Sequence, residues 1–556
     1  MKIPSAFAAA FAVACSSTLT AATVTWTAGG NGNIGDPTKY VGGVAPVDGD
    51  TVVSDGTGSV IDFNNTNSGL SLTQMDLNWT SGATQFNQTG GTFTIGTLRF
   101  SGSSGASRNP TYNLNAGTVN ISTLTWGAGN NANFNVNGGT ANYSGSALTI
   151  GSITDSNGKL NVTAGSFSHT GTGQIQLGQT NNGKGSIIMS GGSFTSDTLG
   201  IRLGNANHSG NLGTIALSGN ASFTADSATT VYLGNNSGNG VITLADTASL
   251  SVAAAEISVG QYRTGTVAEN GQRGGTLTMS GTSTLTAKSI FVGGANAASE
   301  VNGVINLNGG TISAEFVRKG FSSLTPSATQ LVLNGNGGTI RATAAQGDYF
   351  SSLYVNLQAG GLKFNTNSNA VTITAATTIT GTGDFVKQGA GALTIFGSKT
   401  YTGDTVIEGG SLVLGNSDVF DAGSSLVLDG GTLALADFNQ SFATLNLEST
   451  STIDFGTLLG GSNTLTFGDS SAVAWSGSLI LTNFNVGEDA LNFSSAAGLN
   501  INQLSAISLA GYTATGLDSL GNVVFTAVPE PAEISLAIAA GLGLVAMVRR
   551  RRARLG

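Results

Sequence analysis

This sequence predicts an all-β fold, a right-handed β-helix or solenoid, and three observations predict it. A Gly-Gly-Thr unit or close variant recurs from Gly91 to Gly338 at a mean spacing of about 27 residues, too short to bury its own apolar face, so copies must stack. Within each unit apolar residues alternate with polar ones, as at Leu277 and Met279 or Leu412 and Leu414, the period of strands with one face inward. Between Thr111 and Val528 the only proline is Pro326, which leaves a long stretch free to donate every backbone N–H to strand ladders.

The composition agrees. Charged residues make up 9% of the 556, where a globular domain averages about 25%. With 40% hydrophobic residues and seven prolines the chain does not have the makeup of a disordered one, and it can bury a core. Glycine, 83 of 556, together with abundant Asn, suits turns that need left-handed backbone angles. The formal charge is −9, and losing Lys2 and the five terminal arginines would leave 15 of 21 basic residues against as many as 30 acidic ones. No basic patch survives such processing, so nucleic-acid binding is not expected.

Taken in order, Met1-Lys2 is a short positive start and residues 3–13 are mostly apolar. Ala21-Ala22 supplies the small-residue pattern that ends a signal peptide, placed over 1–22 with cleavage after Ala22. A rival reading takes Ala12-Val13-Ala14-Cys15 as a lipoprotein box in which Cys15 is lipidated. Either way no free thiol and no disulfide remain, and stability rests on packing and backbone pairing.

Residues 23–72 read as an N-terminal cap with the first strands, and 73–472 as the solenoid. Its repeats run Gly90-Gly91-Thr92-Phe93, Ala116-Gly117-Thr118-Val119, Gly138-Gly139-Thr140, Ala164-Gly165-Ser166-Phe167, Gly191-Gly192-Ser193-Phe194, Gly274-Gly275-Thr276-Leu277, Gly309-Gly310-Thr311-Ile312 and Gly337-Gly338-Thr339-Ile340. Degenerate copies lie near Ala221, Ala248 and Ser283. Three short strands plus turns fill one coil, and some 16 coils about 4.8 Å apart, from about residue 73 to 525, build a rod about 75 Å long with open edges only at its ends. A propeller or sandwich does not naturally give an unbroken period of this kind. Residues 473–527 change pattern and read as a C-terminal cap region, in which Asn500 with Gln503 is a capping-box arrangement that predicts one short helix.

The tail, 528–556, begins Val528-Pro529-Glu530-Pro531, continues with an uncharged apolar run over 534–548, and ends on Arg549, Arg550, Arg551 and Arg552 followed by Ala553-Arg554. The run spans about 22 Å as a helix, short of a roughly 30 Å hydrocarbon layer, though arginine stems can snorkel and a bilayer can thin. Lys and Arg are retained on the cytoplasmic side, which puts everything before Val528 outside the inner membrane. These residues resemble the PEP-CTERM sorting tail of Gram-negative bacteria. The resemblance implies that Pro529, Glu530 and Pro531 form the motif recognised by an exosortase-type processing enzyme, that 534–548 is a transient inner-membrane anchor, and that Arg549, Arg550, Arg551 and Arg552 are a retention signal. It also implies an association with exopolysaccharide.

A second resemblance covers 385–412. Lys387-x-Gly389-x-Gly391-x-Leu393-x-Ile395, with Thr400-Tyr401-x-Gly403 and Gly409, is similar to the autotransporter-associated β-strand repeat of large bacterial surface proteins, although Phe396 stands where a small polar residue is usual. That resemblance implies a β-helical rod. The end of the chain lacks the amphipathic strands of an outer-membrane barrel, so self-translocation is not expected.

Residues suited to catalysis are sparse. Between Leu77 and Ala225 the only carboxylates are Asp155 and Asp197, which argues against a paired-carboxylate site on this half. His169 and His208 belong to no zinc motif or nucleophile elbow and read as solvated surface residues. Gly29-Gly30-Asn31-Gly32 with Asp36 reads as a loop, and Asp48, Asp50 and Asp55 as turn residues instead of a metal cluster. No cofactor or metal is expected. Taken with the resemblances, this reading is of a non-enzymatic structural or adhesive rod, an inner-membrane-anchored precursor delivered to the cell surface or extracellular matrix. The alternative is a polysaccharide lyase or hydrolase, supported by fold analogy alone.

Overall fold

The computed structural model describes residues 21–528 apart from 28–29, 56–57, 79–83, 101–108, 128–130, 206–209, 236–237, 262–273, 295–300 and 458–461, and in the tail Arg550 alone. Most of the signal segment, His208, the Pro529-Glu530-Pro531 motif, the 534–548 run and Arg549, Arg551 and Arg552 lie outside the described residues.

The alternation seen in the sequence becomes a right-handed-type solenoid of about 17 turns with coils of about 26 residues. Named strands pair in parallel, each with its counterpart one coil on, from Thr23–Trp26 through Ile507–Leu509. Along the strands outward residues are partly exposed and inward ones buried, as in Ser166–His169 and Asn239–Leu244. Inward aromatics stack from coil to coil: Phe167, Phe194 and Phe223 lie 5.3 and 4.4 Å apart by ring centroid and nearly parallel. Phe420, Phe442, Phe467 and Phe493 continue the pattern at 5.8, 5.9 and 5.2 Å. Each such pair contributes about 0.5–1.5 kcal/mol beyond its area burial.

Stacking starts earlier than the sequence suggested. Thr23–Trp26 pairs with Thr51–Asp55, and that strand with Ser71–Asn78, so residues 23–72 are already coils. Asn31–Asn33, read as a loop, is a short strand paired with Val60–Phe63. The repeat at Gly274-Gly275-Thr276 is also out of phase. Thr276 sits opposite Val241 and Val304 on one sheet, whereas the equivalent of Thr311 and Thr339 is Thr284, beside the degenerate copy at Ser283.

Coil length varies along the rod. Leu277 pairs with Ile305 and Ile305 with Leu333, coils of 28 residues. Ala392 pairs with Ser411 and Ser411 with Thr432, coils of 19 and 21.

At the C-terminal end the predicted helix is present as α1 (Ile501–Ser505), with both halves of the capping box formed between Asn500 and Gln503. Gln503 Nε2 donates to the carbonyls of Ser470 and Val473, pinning the helix to the coil below. Ile507–Leu509 is the last parallel strand, and Tyr512–Leu517 and Val523–Ala527 then turn antiparallel, which ends the ladder. Among the described residues no helix is long and apolar enough to cross a membrane.

Candidate functional surface

The three strands of each coil give the rod distinct outward faces, and one of them is chemically uniform. Parallel register places Thr92, Thr118, Thr140, Ser166, Ser193, Ser222, Ser249, Thr284, Thr311 and Thr339 in one column. Two residues further along each strand a second column runs Ser71, Thr94, Asn120, Asn142, Ser168, Thr195, Thr224, Ser251, Thr286 and Ser313. Nine successive coils, from Thr92 with Thr94 to Thr311 with Ser313, thus present only hydroxyls and amides in both columns, until Arg341 and Lys363 end them, and Ser251 Oγ donates to the flanking Asp226. Both columns are partly or fully exposed while the residues between them, such as Phe167, Phe194 and Phe223, are buried. Strand geometry sets the spacing at about 4.8 Å along a column and about 6.7 Å between columns, and the eight steps over which both columns run make a strip about 38 Å long. Within it Ser166 Oγ donates to Thr140 Oγ1 at 3.2 Å, and Asn142 Nδ2 donates to Asn120 Oδ1 at 2.9 Å.

The other faces are mixed. One carries Val60, Gln85, Thr111, Asn133, Lys159, Ser186, Thr214 and Val241 in register. Beside that column runs an amide ladder in which Asn87, Asn113, Asn135 and Asn161 each donate one coil back, the first to Asp62, at 2.7–3.0 Å. Ile188 and Ala216 interrupt it. The third face shows Thr149, Gln176, Arg202 and Tyr232.

His169 departs from its surface reading. It is 1% exposed, stacks on Tyr143 at 5.2 Å, and places Nδ1 2.8 Å from Ser196 Oγ and Nε2 3.0 Å from the carbonyl oxygen of Gly145. Burial pushes its imidazole below the ordinary value, with hydrogen bonds to Gly145 and Ser146 opposing. A Ser–His pair is a nucleophile–base arrangement in principle, but Ser196 is itself buried and also accepts from Thr198 N at 3.2 Å. The pair therefore ties coils together. The signal was present in Ser166-Phe167-Ser168-His169, where period two puts His169 on the inward side with Phe167.

The acidic residues near the N-terminus are committed to backbone. Asp48 Oδ1 accepts from Ser71 N, Asp36 caps the 3-10 turn Pro37–Lys39, and Asp50 accepts from two amides. Among the described residues no group of three or more His, Cys, Asp or Glu could hold a metal ion. Asp155 sits at a positive φ of 56° in a turn, accepting from Asn182 of the next coil.

The 385–412 segment contains two buried cations, of which the sequence reading named Lys387 only as part of the repeat motif and did not single out Lys399. Lys387 and Lys399 are 0% and 1% exposed. Lys387 Nζ donates to the carbonyls of Gln388, Gly389 and Gly409 at 2.8–2.9 Å, and Lys399 Nζ to those of Thr374 and Thr377 at 3.3 and 2.8 Å. Burial pulls both ammonium groups down to about 8. Gly389, at φ 79°, turns the backbone so that its carbonyl meets Lys387, and Leu393, Ile395 and Tyr401 point into the core. The motif is thus a shorter coil whose turn is held by an internal cation.

Residues 385–414 match the passenger-associated-transport-repeat family. An 80-residue stretch is 41% identical to the Neisserial autotransporter lipoprotein NalP of two Neisseria meningitidis serogroup B strains, over 12% of this chain and 7% of that protein. The chain therefore spans only a small part of the relatives it matches. No solved structure matches. The passenger-type repeat and the solenoid together indicate a surface or secreted β-helical protein.

Proposed function

We propose that the chain is a non-catalytic rod of the cell surface or extracellular matrix, sorted through Pro529-Glu530-Pro531 by an exosortase-type enzyme, which holds neutral exopolysaccharide along its hydroxyl face. The observation that carries this reading is the two-column strip of nine coils with uncharged hydroxyls and amides in a chain whose other faces are mixed. Hydroxyls and amides both donate and accept, so a long neutral glycan can be met at every coil, with Asp226, bonded to Ser251, at the edge of the strip. The passenger-type repeat supports surface delivery, and the buried Ser196–His169 pair weighs against hydrolysis.

The test is affinity electrophoresis through a neutral glucan. Thr195→Glu with Thr224→Glu, which puts two charges mid-strip, should abolish retardation. Thr214→Glu with Thr243→Glu on another face adds the same charge and should leave it intact. No retardation of the unaltered protein, or equal loss in both pairs, would refute the glycan-binding face. Localisation in cells with and without exopolysaccharide synthesis tests the matrix assignment separately.

A further inference from the structure

We infer that export leaves Ala22, not Thr23, as the first residue of the mature chain, because the first coil uses Ala22 to partner a buried carboxylate. The inference rests on the export reading for its biology, while its physical basis lies within the fold.

Ala22 precedes the strand Thr23–Trp26, yet it is already tied to the next coil at both ends. Its N donates to Asp50 Oδ1 at 2.8 Å, and its carbonyl accepts from Thr51 N at 2.8 Å. Asp50 is 4% exposed, and its other oxygen accepts from Val47 N at 2.9 Å. Among the described residues the ion pairs are Arg99–Asp76 and Lys288–Glu256, so no side-chain cation faces Asp50. Two backbone amides hold the Asp50 carboxylate, and turning one of those donors into a cation makes a stronger, charge-assisted hydrogen bond.

A cut after Ala22 would remove one of the two donors to Asp50 together with the acceptor for Thr51 N, loosening the coil that begins the ladder. A cut one bond earlier keeps both contacts and converts the Ala22 amide into an ammonium group, placing a positive charge where the structure has a 2.8 Å hydrogen bond to carboxylate. Ala21 and Ala22 are both exposed, and Ala21 is a small residue of the type signal peptidase accepts directly before the cut, with Leu19 in place of a small residue two positions earlier. In the hydrolysis, water adds to the Ala21 carbonyl carbon and the C–N bond breaks. Ala21 departs as the carboxylate end of the leader, and the Ala22 nitrogen takes up protons to become ammonium. Removal of the leader then completes the first coil electrostatically as well as freeing it.

Two measurements test this. N-terminal sequencing and intact mass of the protein recovered outside the cytoplasm should give Ala22 first. A start at Thr23, or at a lipid-modified Cys15, would overturn the assignment. The second measurement does not depend on export and so separates failure of this inference from failure of the export reading. Chains running to Gly556 and beginning at Ala22 or at Thr23, released with native amino termini from a cleavable fusion, are compared by hydrogen exchange over 23–26. Exchange should be at least about tenfold slower in the Ala22 form, and acetylating its amine or introducing Asp50→Asn should abolish most of that difference. Equal exchange in the two forms would overturn the inference even if export is normal.

Discussion

Replacing Lys387 with methionine tests whether the passenger-type coil is organised around a buried cation. Lys387→Met keeps the apolar stem but leaves the carbonyls of Gln388, Gly389 and Gly409, now held at 2.8–2.9 Å, without their donor. A buried acceptor stripped of its partner costs about 1–3 kcal/mol, and relief of the desolvated ammonium offsets part of the total, so a net local loss of about 2–4 kcal/mol is expected at pH 7. The pH dependence is more diagnostic. The group titrates near 8 in the fold and at 10.5 when exposed, so above pH 8 the unfolded coil binds the extra proton. Stability therefore rises with pH across the window from 8 to 10.5 and is lost again as pH falls through 8. Tyr401 and Tyr349 act oppositely: burial raises their phenols, which destabilises the fold above pH 10. The clean interval is thus pH 8 to 9.5, where each lysine contributes a gain of about 2 kcal/mol. Hydrogen exchange of peptides from 385–414, corrected for intrinsic rates, should show that gain halved in Lys387→Met because Lys399 remains. A difference between the two proteins that is flat from pH 8 to 9.5 would refute the claim that burial, against the pull of three carbonyls, sets this group's titration.

Phe194→Ala, which opens a gap between rings stacked at 5.3 and 4.4 Å, should cost about 3–5 kcal/mol and raise exchange in the coils of Phe167 and Phe223 before distant ones. His169 is neutral in the fold because burial lowers its affinity for protons, so its contribution is complete above the ordinary value of 6.5 and declines as pH falls below it. Thermal unfolding of His169→Gln should therefore be less sensitive to acid between pH 7.5 and 5 than that of the unaltered protein. In the tail, Glu530→Ala should leave membrane insertion intact and block release, whereas alanines at Arg549, Arg550, Arg551 and Arg552 should weaken retention. Pulse-chase in a host with the matching exosortase separates the two, and normal processing of Glu530→Ala would count against the sorting motif.

The fold was legible because parallel stacking writes itself into sequence twice, as period two along a strand and as a fixed recurrence between coils. Asn500 and Gln503 were readable for a related reason, since capping is a local contact three residues long. What escaped depended on parity or on distance. His169 was judged by residue type and Lys387 was named only as part of its repeat motif, yet each lies two positions after an inward phenylalanine, Phe167 and Phe385, and the fold followed the parity. Asn31–Asn33 has no apolar signal and becomes a strand only because Val60–Phe63 supplies its partner. The hydroxyl strip lay half-visible in the Gly-Gly-Thr units, but a unit alone does not say which face it joins, as the misplaced Thr276 shows.

The unequal coils have a mechanical consequence. The ladder hydrogen bonds run along the rod axis, so a pull applied between the two ends loads one coil at a time instead of shearing a whole sheet. Each coil that yields pays out its contour length: about 95 Å for the 28-residue coils around Ile305, but only about 65–70 Å for the 19- and 21-residue coils around Ser411. Stretched in a single-molecule trap, the molecule should give a sawtooth whose step size reports which segment has failed, with the shortest steps in the region locked by Lys387 and Lys399. A rod built this way absorbs extension in instalments and keeps the remaining coils intact between them.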